Sequence, residues 1–388
     1  MLKEVLFKYW LLLFIICNIC AQYYLTSSIA EYLFYFLQLC GVLLLIININ
    51  FIRNKIVIKE FPIVYWFAVI LFIYQFTFGF LFISEKTWTY LISKILVNFS
   101  IIISLTWCTD FYEKKFYPTI AIITAVLLVF GYFSHNVFYG GRQTLGFWNP
   151  NSTGSISAVC FGVVFIMKTF NKKIRYITAI ICLLGVLLSG SRSAMGIVFI
   201  SLFIKYGFNY RLIGIVSLIL LIIFIILPAC DIHFIGISRF VEALQNNDLS
   251  SGRETEREST IYMIKESPWI GNGIYSQQSE EASRISSLGS HNAFLDFIKW
   301  FGFPIGCLWI GIMLYYIVRL YLFYRNSENN EERAHLFVVI GVLLAANYEA
   351  YIWGVNQMIT SMFFLSFCLL QKKYYDLIVI KSYEEKEI

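Results

Sequence analysis

Arginines stand at three places where a long apolar sequence breaks into polar stretches: Arg142 in 136–153, Arg192 in Ser189-Gly190-Ser191-Arg192-Ser193, and Arg239, Arg253, Arg257 and Arg284 in 231–290. Arg142, Arg192 and Arg253 each have Gly or Ser beside them. A guanidinium keeps its charge in a poorly solvated site and grips phosphate oxygens with two N–H groups at once. Such a set suits a diphosphate. His291 lies in Ser290-His291-Asn292, where the longest polar stretch re-enters apolar sequence. A histidine placed there can position or deprotonate a hydroxyl. Glu349 interrupts a later apolar run near its end, and an ionisable residue in such a run is a functional candidate.

Each of these residues also has a plainer reading. The arginines can pair with Glu254, Glu256, Glu258, Glu266, Glu280 and Glu281 or with lipid phosphates. His291 can be an interfacial residue satisfied by its neighbours, and Glu349 can snorkel or bond a tyrosine. Asp296 and Lys299, three apart on one helical face, are expected to neutralise each other. Tyr139, Phe147, Trp148, Trp269 and Tyr275 suit sugar stacking and interfacial anchoring alike. His135, His233 and His335 are scattered, so no metal site is expected. The nine cysteines lie almost all inside apolar runs, and even Cys17 and Cys20 read as buried packing. Neither GxxxxGK[ST] nor GxGxxG occurs, which argues against a nucleotide site.

The elements that must hold these residues are membrane helices. Of the 388 residues 59% are hydrophobic and 14% charged, whereas a soluble domain carries roughly 25% charge. This excludes a secreted disulfide scaffold, a nucleic-acid-binding domain and a disordered chain. Apolar runs near 9–27, 30–52, 61–83, 89–108, 118–135, 154–168, 175–189, 193–208, 212–229, 293–322, 335–352 and 355–371 predict an all-α polytopic membrane protein with about twelve spans. Lys3 and Lys8 precede the first run without a small-residue cleavage site after it, so an uncleaved first helix is expected. With both termini in the cytoplasm, inner segments hold 20 of the 30 Lys and Arg and outer segments eight; Lys94 and Lys299 fall within spans. The positive-inside rule is then obeyed at every short loop. The long polar stretch falls outside, where Ile237, Phe240, Val241 and Leu244, and again Ile261 and Ile264, repeat at helical spacing. The chain divides into N-terminal helices (1–135), helices with Arg-bearing outer loops (136–229), an extracytoplasmic loop with short helices (230–292), and C-terminal helices with a cytoplasmic tail (293–388).

At four points the polar segments resemble one family. Arg142 followed by Gly146-Phe147-Trp148-Asn149-Pro150-Asn151 resembles the G-x-x-x-N-P-N segment of the O-antigen polymerase and O-antigen ligase superfamily. Leu188-Ser189-Gly190-Ser191-Arg192-Ser193-Ala194 resembles its SR segment, and Ser251-Gly252-Arg253 with Pro268-Trp269-Ile270-Gly271-Asn272-Gly273 its SGR…PxxGxG loop. Ser290-His291-Asn292-Ala293-Phe294-Leu295, then Gly302-Phe303-Pro304-Ile305-Gly306, resembles its HN-x-x-L…G-x-x-G segment. One departure stands out: where the family often has an apolar–Trp pair after the SGR arginine, this chain has Glu256-Arg257.

The resemblance implies a metal-independent glycosyltransferase of the bacterial inner (plasma) membrane, without cofactor, using polyprenyl-diphosphate-linked oligosaccharides on the outer face. Its implied partners are those lipid-linked glycans and membrane lipids, with a flippase and a chain-length regulator as candidate protein partners and no nucleic acid. His291 and Arg253 are the expected catalytic residues; Arg142, Arg192 and Arg257 the expected diphosphate ligands; Asn149, Asn151 and Glu349 their polar support. Whether Arg253 or Arg257 meets the phosphate stays open, and so does polymerase against ligase. Twelve spans also fit a lipid-linked sugar transporter or flippase, although transporters tend to place polar residues at the midplane of repeated halves, and spans 9–229 carry no midplane charge.

Overall fold

The computed structural model describes residues 2–82, 85–139, 141–169, 171–207, 209–210, 214–215, 217–218, 254–274, 291–355 and 357–384. Helices build nearly all of it. In chain order they are α1 (Leu2–Gln22), α2 (Ser27–Ile47), α3 (Ile49–Ile52), α4 (Lys55–Glu60), α5 (Pro62–Thr77), α6 (Glu85–Lys114), α7 (Phe116–Ser134), α8 (Pro150–Ile166), α9 (Lys172–Ser189) and α10 (Arg192–Tyr206), followed by α11 (Glu254–Glu266), α12 (Ala293–Tyr324), α13 (Asn330–Ala345) and α14 (Met358–Glu384). Between α7 and α8 a short antiparallel hairpin pairs β1 (Phe138–Tyr139) with β2 (Arg142–Gln143), Tyr139 opposite Arg142.

The polar residues at the breaks start and stop these helices. Asn149 caps α8 by accepting from Asn151 N at 2.8 Å, with Pro150 at the first helical position. Asn292 caps α12 by accepting from Phe294 N and Leu295 N. Gly190, at φ +60, closes α9 in the left-handed conformation. The bundle is apolar on both sides of its wall. Phe36, Phe76, Val126, Phe133 and Leu322 project outward and exposed, as in a lipid-facing surface. Within, α8 is buried nearly all round and packs on α7, α9, α10 and α13. Its small residues permit this, since a Cβ on Gly162 would lie 2.2 Å from the Phe337 ring. At the far end of the bundle Lys373 Nζ meets Glu113 at 2.6 Å and Glu332 at 2.8 Å, tying α14 to α6 and α13.

Among the described residues, four helices are long and apolar enough to cross a membrane: Ser27–Ile47, Thr87–Lys114, Phe116–Ser134 and Ala293–Tyr324. Lys8–Gln22, Pro62–Thr77 and Pro150–Ile166 are shorter apolar helices. The all-helical membrane class is as expected, whereas the count of twelve goes beyond these helices. The ninth expected span, 212–229, and the apolar repeat at Ile237, Phe240, Val241 and Leu244 lie mostly or wholly outside the described residues. Ile264 packs inward on α11 as expected, while Ile261 is exposed. The eleventh span needs correction. Its helix ends at Ala345 rather than 352, and Glu349 sits on the loop that follows.

A backbone staple joins α11 to α12. Helix α12 breaks at Gly302 (φ +73, ψ 171), and the Pro268–Gly273 loop fits into the break. Asn272 N donates to Lys299 O at 2.8 Å, Gly273 N to Trp300 O at 3.1 Å and Phe303 N to Pro268 O at 2.8 Å. A Cβ on Gly302 would stand 2.4 Å from Trp269 O, and one on Gly271 2.4 Å from Trp300 O. This backbone region is open essentially to glycine alone, and forcing another residue into it costs about 1–3 kcal/mol before any clash. Gly302→Ala is therefore expected to lower the melting temperature of the purified protein and loosen α11; an unchanged melting curve would contradict the staple.

Candidate functional site

One end of the bundle gathers the hairpin after α7, the α9–α10 turn, the start of α12, the loop after α13 and the first turn of α11. Polar side chains from these elements form a continuous string. Arg142 Nε donates to Ser189 O at 2.8 Å, and Arg142 Nη2 donates to Asn151 Oδ1. Asn151 Nδ2 donates to Glu349 Oε1 at 3.1 Å. The other carboxylate oxygen, Glu349 Oε2, lies 3.2 Å from His291 Nδ1. On the far side of the ring, His291 Nε2 stands 3.9 Å from Glu256 Oε2. The side chains of His291, Glu256 and Glu349 are only 17%, 15% and 12% exposed, so their mutual fields are weakly screened.

Backbone geometry sets this arrangement. His291 is one of two non-glycine residues with positive φ among those described, at φ +49. The following cap at Asn292 fixes the start of α12, so the histidine is turned out of the helix and towards Glu349. Strained conformations of this kind persist where the surroundings over-determine them. The loop carrying Glu349 is held from three directions. Ala293 N donates to Ala346 O at 2.9 Å, Tyr351 bonds Ser155 through its hydroxyl, and Tyr90 donates to Trp353 O at 3.0 Å. Lys94 adds the fourth tie. It is buried, and its Nζ lies 3.1 Å from both Ile352 O and Gly354 O and 4.7 Å from the centroid of the Phe364 ring. Lys94→Met would remove the donor to the buried Ile352 O, at about 1–3 kcal/mol, and to the half-buried Gly354 O. Faster amide exchange across 346–355 is expected in that variant; wild-type protection there would contradict the anchoring role.

The string separates charge. Arg142, with Arg192 at the first turn of α10, supplies the cationic side; Glu349, His291 and Glu256 form the carboxylate–imidazole side, and Asn151 joins them. An anionic group and a reacting hydroxyl could be held next to each other without the carboxylates meeting the anion. Exposed Trp148 and Trp269 offer aromatic faces at the same end. Among the described residues no group of three or more His, Cys, Asp or Glu forms a metal cluster.

Of the residues expected from sequence, Arg142, Asn151, His291 and Glu349 are thus in direct contact as one string. Asn149 serves as the cap that orients Asn151, and Arg192 begins α10 beside the turn that Arg142 reaches. Arg257 is exposed on α11, away from the buried face that bears Glu256. Arg253 lies outside the described residues, as do Arg239 and Arg284. Asp296 and Lys299 pair at 3.2 Å as their spacing predicts. Two site residues were not among those expected. Glu256 reads in the sequence as one acid among several, yet its spacing of four from Thr260 and eight from Ile264 marks it as inward-facing. Lys94 showed only as a charge misplaced within an apolar run.

A likeness to known proteins covers part of this site, including Arg192, Glu256 and His291 but not Arg142, Asn151 or Glu349. No curated protein matches this sequence. Residues 177–310 match the family model described as O-antigen ligase, about a third of the chain, running from α9 through the stapled loop and His291 into α12. This match, with the four motifs in order, supports placing the chain in the O-antigen polymerase and O-antigen ligase superfamily.

Proposed function

We propose that this protein is a membrane glycosyltransferase that joins polyprenyl-diphosphate-linked oligosaccharide repeat units into a surface polysaccharide, O-antigen or capsule, on the outer face of the plasma membrane. The observation that carries this reading is the string Arg142–Asn151–Glu349–His291, with a cationic and a basic side, at the helix ends. The donor diphosphate lies among Arg142, Arg192 and Arg253 or Arg257, and its lipid tail runs between helices. Diphosphate is already a good leaving group, so guanidinium charge placed where negative charge develops replaces an added acid. An acceptor sugar hydroxyl attacks the anomeric carbon with inversion, and His291 or a neighbouring carboxylate positions or deprotonates it. Both termini lie in the cytoplasm in this arrangement, and a flippase and a chain-length regulator are its natural partners.

Transfer to a terminal acceptor such as a lipid A core is the second reading, favoured by the description of the matching family model as a ligase. Arg253→Ala and His291→Ala, each expressed in cells that make the polymer, test the site. Short or absent chains are expected from both. If both variants reach the membrane and give wild-type chain lengths, the assignment is wrong.

A further inference from the structure

We infer that Glu256 is the general base of the transfer and that it forms, with His291 Nε2, the seat of the acceptor hydroxyl; the inference rests on the transfer reading above. Helix α11 is the starting point. Glu254, Arg257, Glu258, Lys265 and Glu266 are exposed, whereas Glu256 is drawn inward on the face that buries Thr260, Met263 and Ile264. A carboxylate at the head of the face that buries Thr260, Met263 and Ile264 needs a reason to be there.

Occupancy singles out the same residue. Both oxygens of Glu349 already face a donor, Asn151 Nδ2 on one side and His291 Nδ1 on the other. Asp296 is paired with Lys299. Among the described residues Glu256 Oε2 is buried without a hydrogen-bond partner. An acceptor atom left in that state is costly, and it is the state expected of a group waiting for a substrate proton. Its 3.9 Å separation from His291 Nε2 is too long for a direct hydrogen bond. An oxygen seated off that line can lie about 2.7–3.0 Å from both atoms. The staple at Pro268–Gly273 and Gly302 ties the C-terminal end of α11 to α12.

The step balances with the groups named. The acceptor O–H proton passes to the Glu256 carboxylate while the oxygen forms its bond to the anomeric carbon. The bond from that carbon to the phosphate oxygen breaks, and its electron pair leaves with the lipid diphosphate, whose charge the guanidiniums meet. His291, protonated on both ring nitrogens in this step, donates from Nδ1 to Glu349 and from Nε2 to the same hydroxyl oxygen.

The test uses the purified full-length protein in liposomes, with lipid-linked oligosaccharide extracted from cells that lack this protein as the probe. Glu256→Gln is expected to lower kcat by about a hundredfold or more, to leave KM for the donor nearly unchanged, and to flatten the rise of rate with pH. Glu256→Asp is expected to recover part of kcat and the pH dependence, and Glu258→Gln, an exposed change on the same helix, to behave as wild type. A Gln variant with wild-type kcat overturns the inference. So do Gln and Asp variants that are equally slow while both keep the wild-type pH profile, since that pattern belongs to a structural role. If the wild-type protein forms no glycosidic bond with this probe, the transfer reading itself fails; if it does and Glu256→Gln does too, only the base assignment fails.

Discussion

An Arg142→Ala protein is expected to transfer glycan about 10²–10³-fold more slowly than wild type, the cost of deleting one well-placed donor to developing charge. Two contacts disappear together. The side chain holds the hairpin to the end of α9 through Ser189 O and fixes Asn151 through its Oδ1. Without it Asn151 loses the partner that points its amide nitrogen at Glu349, so the effect reaches His291 three contacts away. Arg142→Lys is expected to recover little, because a single ammonium cannot span Ser189 O and Asn151 while offering further N–H groups to a phosphate. Initial transfer rates of the two variants, normalised to folded protein, check this. A lysine variant near wild-type rate would show that Arg142 acts as a point charge only.

Glu349→Gln should be nearly as damaging, at about a hundredfold. A carboxylate accepts on both oxygens, whereas a glutamine accepts on one atom and donates on the other. Whichever way the amide is turned, its NH2 group confronts either Asn151 Nδ2 or the N–H on His291 Nδ1. The imidazole is then free to rotate or change tautomer, and the histidine loses its orientation towards Glu256. Because Glu349 acts through His291, a Glu349→Gln/His291→Ala double variant should be little slower than His291→Ala alone. Multiplying effects would mean that the two residues act independently.

Much of the scaffold could be read from residue order. The apolar runs give the helices, and Asn149-Pro150, Asn292 and Gly190 mark helix ends by chemistry that needs no tertiary information. The helix end at Ala345 was hidden because Tyr348, Tyr351, Ile352 and Trp353 keep the sequence apolar through the loop; only their partners on α6, α8 and α12 make that loop stable. Arg142, Asn151, His291 and Glu349 were each visible as ionisable or amide residues beside membrane segments. Their union was not, since up to 207 positions separate them and the contacts depend on how α8, α12 and α13 pack. Lys94 illustrates the same limit. A lysine in an apolar run announces a buried partner, but the partners are backbone carbonyls of another loop, which no residue type reveals.

In the proposed transfer this helix-end string forms a glycosidic bond at the expense of a lipid diphosphate. Counting both products from purified protein in liposomes loaded with lipid-linked oligosaccharide measures that step. One free polyprenyl diphosphate is expected for each new glycosidic bond, with a ladder of lengthening chains and both products lost together in Arg142→Ala. Glycan crossing the bilayer with no bond formed, or bond formation undiminished by Arg142→Ala, would contradict the proposed transfer.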